Sequence, residues 1–157
     1  MMTMSLVEER LKQLGIDLPV PPKPVAAYVP AVQTDGGLVY VSGQGPVVDN
    51  KTVFAGRLGR DLTIEQGKEA ARLVAINLLA QLKGAIGDLD RVKRVVKLTA
   101  WVNCDDSFDQ HPFVVNGASE LLVAAFGEQG RHARCALGAS SLPFQQAVEA
   151  DLVVELK

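Results

Sequence analysis

Two stretches of helical periodicity stand among strand-like runs, in the order strand, strand, helix, strand, helix, strand, strand. That ratio constrains the fold more than any other feature of the chain. Two helices cover one face of a sheet and leave the other bare. The first helix opens on a Thr63/Gln66 capping box, buries Ala71, Val74, Ala75, Leu78, Leu82 and Ile86, and ends at Gly87. The second takes its cap from Asp105-Asp106-Ser107 and tolerates Pro112 in its first turn. It buries Val114, Gly117, Ala118, Leu121 and Ala125 and closes at Gly127, with Gly117 marking a close approach to a neighbour.

The strands are read at 25–34, 38–42, 92–103, 133–137 and 148–156, the first two joined through Asp35-Gly36-Gly37 as a hairpin. Residues 47–60 read as a long loop with a short strand near Val53. On 92–103, alternation puts Val96, Leu98, Ala100 and Val102 on one face and Val95, Lys97, Thr99 and Trp101 on the other. The face without helices then holds Val95, Trp101, Val153, Val39 and Val41, together with Glu149 and Asp151. It is too apolar to stand in water, so a second copy of the chain is expected on it, with polar groups collected at the junction. The class is α+β.

At 157 residues the chain has the length of one domain. Residues 1–23 read as an appendage: a helix over 5–14 with a Ser5/Glu8 box, stopped by Gly15, then a proline-rich surface linker. Residues 24–157 form the domain proper. A net charge of −2 with 5% aromatics makes nucleic acid a poor partner. The basic run Arg91, Lys93, Arg94 and Lys97 reads as a solvated strand edge. No apolar run approaches the ~18 residues of a membrane helix, and no signal peptide is evident, so a cytoplasmic protein with no membrane partner is expected. Cys104 and Cys135 lie apart, as two reduced thiols. His111 and His132 lack the spacing of metal ligands, and no metal is expected.

The chemistry concentrates between Arg131 and Glu149. Arg134 offers a planar fork of donors matched to a carboxylate, and Glu149 an acceptor able to hold or activate water. If both face one cleft, the parts of a small-acid hydrolysis site are present. The alternative is a structural ion pair of Arg134 with Glu149 or Asp151. Tyr28, on the first strand, serves either as a packed aromatic or as a pocket wall. Cys135 has no evident base partner.

Tyr28, Val41-Ser42-Gly43-Gln44-Gly45-Pro46, Val115-Asn116, Ala133-Arg134, Leu142-Pro143 and Val148-Glu149-Ala150 together resemble the reactive intermediate deaminase (Rid, YjgF-type) family over roughly residues 24–155. The N-terminal helix, the 47–60 loop and the Asn116-Gly117-Ala118-Ser119 run mark a divergent branch. The resemblance implies a chorismate-mutase-like fold of the bacillus type, a mixed sheet with two helices on one face. It implies a homotrimer around a central barrel, with clefts between subunits. It implies hydrolysis of 2-imino and enamine acids, such as 2-aminoacrylate or 2-iminopropionate, to 2-oxo acids and ammonia, with no cofactor. Arg134 matches the arginine that grips the substrate carboxylate and Glu149 the acid that places water. Tyr28, Ser42, Gly43 and Asn116 match substrate-binding positions. Ala136 stands where the archetype has a cysteine, leaving its backbone N–H as the contact. Two rival readings remain: a trimer that binds small carboxylates without turning them over, and the ribonuclease or translation-inhibitor activity ascribed to some relatives.

Overall fold

The computed structural model describes residues 5–157. Its main sheet has the order β1-β2-β7-β5-β6, with β1 Ala31–Gln33, β2 Leu38–Gln44, β5 Val92–Asn103, β6 Ala133–Ala139 and β7 Val148–Leu156. β5 and β6 run parallel; the other neighbours are antiparallel. A parallel pair needs a crossover. The second long helix, α3 (His111–Phe126), supplies it. With α2 (Ile64–Ile86) it covers one face of the sheet. Leu78, Leu82, Leu98, Leu122, Leu152 and Val154 fill the layer between, each essentially inaccessible. The Thr63/Gln66 capping box opens α2 as expected, with Gln66 N–H bonded to Thr63 Oγ1 at 3.2 Å and Thr63 N–H to Gln66 Oε1 at 2.9 Å. Among the described residues no helix is long and apolar enough to cross a membrane.

Gly117 lies where α3 meets the backbone of Lys68 on α2, and a Cβ there would collide with that carbonyl. Gly117→Ala is expected to lower stability by about 1–3 kcal/mol, since the two backbones must part to admit a methyl group. A urea titration checks this; an unchanged midpoint would show that the helices are not held so closely.

Several expectations need correction. The face assignment on β5 changes at a bulge: Val95 pairs with Val154 and Lys97 with Val153, so Val96 is the extra residue. An inserted residue reverses every side chain beyond it. Val95 is therefore fully buried under the helices, and Val96 is not. Val39 and Val41 also point to the helices; the bare face keeps Trp101 and Val153, as expected, and carries Val32, Tyr40 and Leu137 beside them. The first strand begins only at Ala31, because Pro30 brings no N–H to a ladder. Tyr28 thus sits on the irregular segment before β1. Residues 47–60 contain a small hairpin, β3 Val47–Val48 with β4 Lys51–Thr52. Asp49 and Asn50 at its tip both have positive φ, 50° and 63°, the backbone that a two-residue type I′ turn demands. Asp105 pairs with Arg57 at 3.5 Å instead of capping α3, which begins at Gln110 without a side-chain cap.

The N-terminal helix α1 (Leu6–Gln13) is capped by Ser5 through the Glu8 N–H. Glu8 turns to Lys83 rather than back to its own helix. The helix docks on the turn before β5, its Leu6 and Val7 N–H groups held by the Asp90 carboxylate at 2.8 and 3.0 Å. The proline-rich segment does more than cross the surface: Gln81 on α2 donates to the Pro22 carbonyl. That bond lays the prolines along the edge of a cleft.

Candidate functional site

The residues singled out in the sequence fall into two groups. The first lines a cleft of about 630 Å³ beside the β2–β7 junction, walled by Pro22, Pro24, Tyr28, Ser42, Phe144 and Glu149. Its geometry follows from a register irregularity. β2 and β7 pair regularly to Val41↔Leu152, then resume at Gln44↔Ala150, which throws Ser42 and Gly43 out of step. Ser42 Oγ donates to the Val29 carbonyl at 2.7 Å, tying the bulge to the Tyr28 segment. The absence of a side chain at Gly43 lets Glu149 lie against the backbone; a Cβ there would meet Glu149 Oε2 at 3.3 Å. The proline wall and Phe144 (φ 56°) were not anticipated from the sequence. Leu142-Pro143 belongs to the family resemblance, and Pro143 lines the cleft.

Glu149 is half-buried, and burial, followed by the like charge of Asp151, raises its pKa above the ordinary carboxylate value. Burial also raises Asp151, against the opposing charge of Lys97. If the Glu149 carboxylate is the working form, kcat/KM rises with pH as the acid ionises, and that limb lies at higher pH than for a free glutamate. Asp151→Asn removes the like charge and is expected to move the limb to lower pH. A pH–rate profile checks both, and a limb unmoved in Asp151→Asn would separate the two groups.

The second group lies on the other side of the sheet. Arg134 is in register with Leu98, which is buried under the helices, whereas Glu149 is in register with Trp101 on the bare face. In a single chain the two therefore face opposite ways with β5 between them. Arg134 reaches α3: Nη1 donates to Asn116 Oδ1 at 2.8 Å and to Ser119 Oγ at 3.2 Å, and Nη2 lies 3.5 Å from the Pro112 carbonyl. Ala136, two residues further along β6, shares that side. Among the described residues no carboxylate comes within ion-pair distance of Arg134, so it is no partner of Glu149 or Asp151 within the chain. Its guanidinium is oriented by neutral acceptors and its charge is uncompensated.

The thiols are set apart from both groups by their contacts. Cys104 lies 3.4 Å from His111 Nε2, and burial raises its pKa. Cys135 falls on the bare face in register with Thr99. Neither cysteine is in a disulfide.

Residues 8–156 match the family model described as "YjgF/chorismate_mutase-like, putative endoribonuclease". The chain belongs to the YjgF family. Reactive intermediate deaminases fall in the same superfamily, and the mixed sheet with two helices on one face is its chorismate-mutase-like fold. The chain is 48% identical over 151 residues to Protein TCP17 of Trypanosoma cruzi, covering 96% of this chain and 94% of that one. It is similar to the crystal structure of Atu1372 of Agrobacterium tumefaciens, a protein of unknown function, at 45% identity and a TM-score of 0.90, over 97% of this chain and 93% of that one. It is also similar to a Shewanella oneidensis protein described as a putative endoribonuclease, at 36% identity and a TM-score of 0.93, over 97% and 100% of the two chains. Both structural likenesses take in nearly the whole chain.

Proposed function

We propose that this YjgF-family chain is a hydrolytic deaminase of 2-imino and enamine acids, acting as a homotrimer in the cytoplasm. The observation that carries the reading is Arg134, held by neutral α3 acceptors with its charge unanswered. Such a group is arranged for an incoming anion, and its planar fork fits a carboxylate. The imine carbon of the substrate is already electrophilic, so no protein nucleophile is required. Water held by Glu149 adds to that carbon as the carboxylate takes one of its protons. Glu149 passes that proton to the imine nitrogen, giving an amino alcohol; it then moves the hydroxyl proton to the amino group, and the C–N bond breaks to leave a 2-oxo acid and ammonia.

Arg134 and Glu149 face opposite sides of one sheet, so in this reading the site forms between copies. The Arg134 side of one subunit meets the cleft of the next. The bare face, where Tyr40, Trp101, Leu137 and Val153 stand among Lys97, Thr99 and Asp151, is then the surface that builds the trimer's central barrel. Among the described residues no histidine lines the cleft, and His132 near Arg134 is bonded to Ser119 and the Gly130 carbonyl, which favours imine hydrolysis over RNA cleavage.

The test generates 2-iminopropionate with an amino acid oxidase and traps what survives with semicarbazide. The expected result is a loss of semicarbazone in proportion to added protein. A folded trimer that leaves the signal unchanged, yet binds pyruvate saturably, would show a carboxylate-binding protein instead of an enzyme.

A further inference from the structure

Ser119, one of the α3 acceptors that hold Arg134, meets a second side chain behind the arginine, that of His132 two residues before it. Ser119 Oγ lies 2.9 Å from His132 Nε2 and 3.2 Å from Arg134 Nη1, and His132 Nδ1 lies 2.6 Å from the Gly130 carbonyl. A carbonyl only accepts, so Nδ1 carries the ring hydrogen. Nε2 of the neutral ring then has a lone pair and takes the Ser119 hydroxyl hydrogen. The Ser119 oxygen, its hydrogen committed, presents lone pairs to Arg134. Donation thus runs one way, from Arg134 to Ser119 to His132 to Gly130, an order in which each bond polarises the next. Burial, together with the Arg134 charge, lowers the His132 pKa and keeps the ring neutral, although the bond to Gly130 works the other way. Gly130 sits against the Leu122 backbone with no room for a Cβ, which fixes the end of the chain of bonds.

We infer that Ser119 and His132 are positioning residues for the Arg134 carboxylate clamp: they fix Nη1 of the guanidinium, Asn116 shares that atom, and Nη2, which spends one hydrogen on the Pro112 carbonyl at 3.5 Å, keeps the other for substrate. The inference rests on the deaminase reading for its reaction but not for its binding step. Losing the Ser119 acceptor, or the histidine that orders it, releases the fork into several orientations, and only one suits the carboxylate. The effect falls on binding and not on the chemistry at the imine carbon.

The experiment compares wild type, Ser119→Ala, His132→Phe and His132→Gln in the imine assay, with pyruvate titrations by calorimetry alongside and thermal melts to confirm folding. Ser119→Ala and His132→Phe are expected to raise KM and the pyruvate Kd about tenfold, the loss of one bond to a charged group, with kcat nearly unchanged. His132→Gln offers an acceptor where Nε2 was and is expected to restore both. If wild type turns over imine but both variants keep its KM, the inference fails and the deaminase reading stands. A fall in kcat at constant KM overturns it in favour of a chemical role. If wild type shows no turnover, the deaminase reading fails, and pyruvate affinity decides: weakening in the two variants and recovery in His132→Gln support the inference. Unchanged affinity, or no pyruvate binding by wild type, overturns it.

Discussion

Replacing Arg134 with alanine is expected to cut kcat/KM for 2-iminopropionate by about two to three orders of magnitude. The clamp supplies both charge pairing and orientation, together on the order of a few kcal/mol, and each 1.36 kcal/mol is a factor of ten. The protein itself should survive the change. Arg134 is only half-buried, and the α3 acceptors it leaves, Asn116 Oδ1 and Ser119 Oγ, are within reach of water. Arg134→Lys separates charge from geometry: an ammonium keeps the attraction but loses the planar fork, so activity should fall between wild type and alanine. The assay is the semicarbazide trap with melting curves in parallel. Turnover by Arg134→Ala equal to wild type would remove the arginine from the reaction.

Much of this arrangement is legible in the sequence wherever one local rule acts alone. The Thr63/Gln66 box, the uninterrupted alternation of 148–156 and the terminating Gly87 and Gly127 each state a boundary that the structure keeps. Where a rule depends on pairing partners, the sequence is silent. Nothing in 92–103 announces the extra residue at Val96, because a bulge is a property of two paired strands and not of one segment. The same applies to Arg134 and Glu149. Both matched the family pattern, yet which side of the sheet each faces follows from the β5 register, and that puts them on opposite sides. Two local signals in the sequence do point to structure that the periodicity alone misses. Asp49-Asn50 is a turn dipeptide between short β-branched runs. Ser119, one turn beyond Asn116, and His132, two strand positions before Arg134, share the spacings that bring side chains onto one face.

That opposed placement leads to the second large effect. If each site takes its arginine from one subunit and its glutamate from the next, Arg134→Ala and Glu149→Gln should each be nearly inactive alone, while trimers assembled from both regain activity. In a ring of head-to-tail contacts a site is intact when an Arg134-bearing subunit abuts a Glu149-bearing one, and random equal mixing makes about a quarter of the sites so. Mixed trimers from co-expression or co-refolding are therefore expected to show about a quarter of wild-type turnover per site. The double variant in one chain, mixed with wild type, gives a contrasting dependence, since it spoils both sites it touches. Were Arg134 and Glu149 to act within a single chain, every subunit in the mixed trimer would lack one or the other, and activity would stay at the level of the parents. Recovery to about a quarter requires that a subunit bearing Arg134 and a neighbour bearing Glu149 complete one site, which is the arrangement that the bare face and the opposed placement of the two groups support.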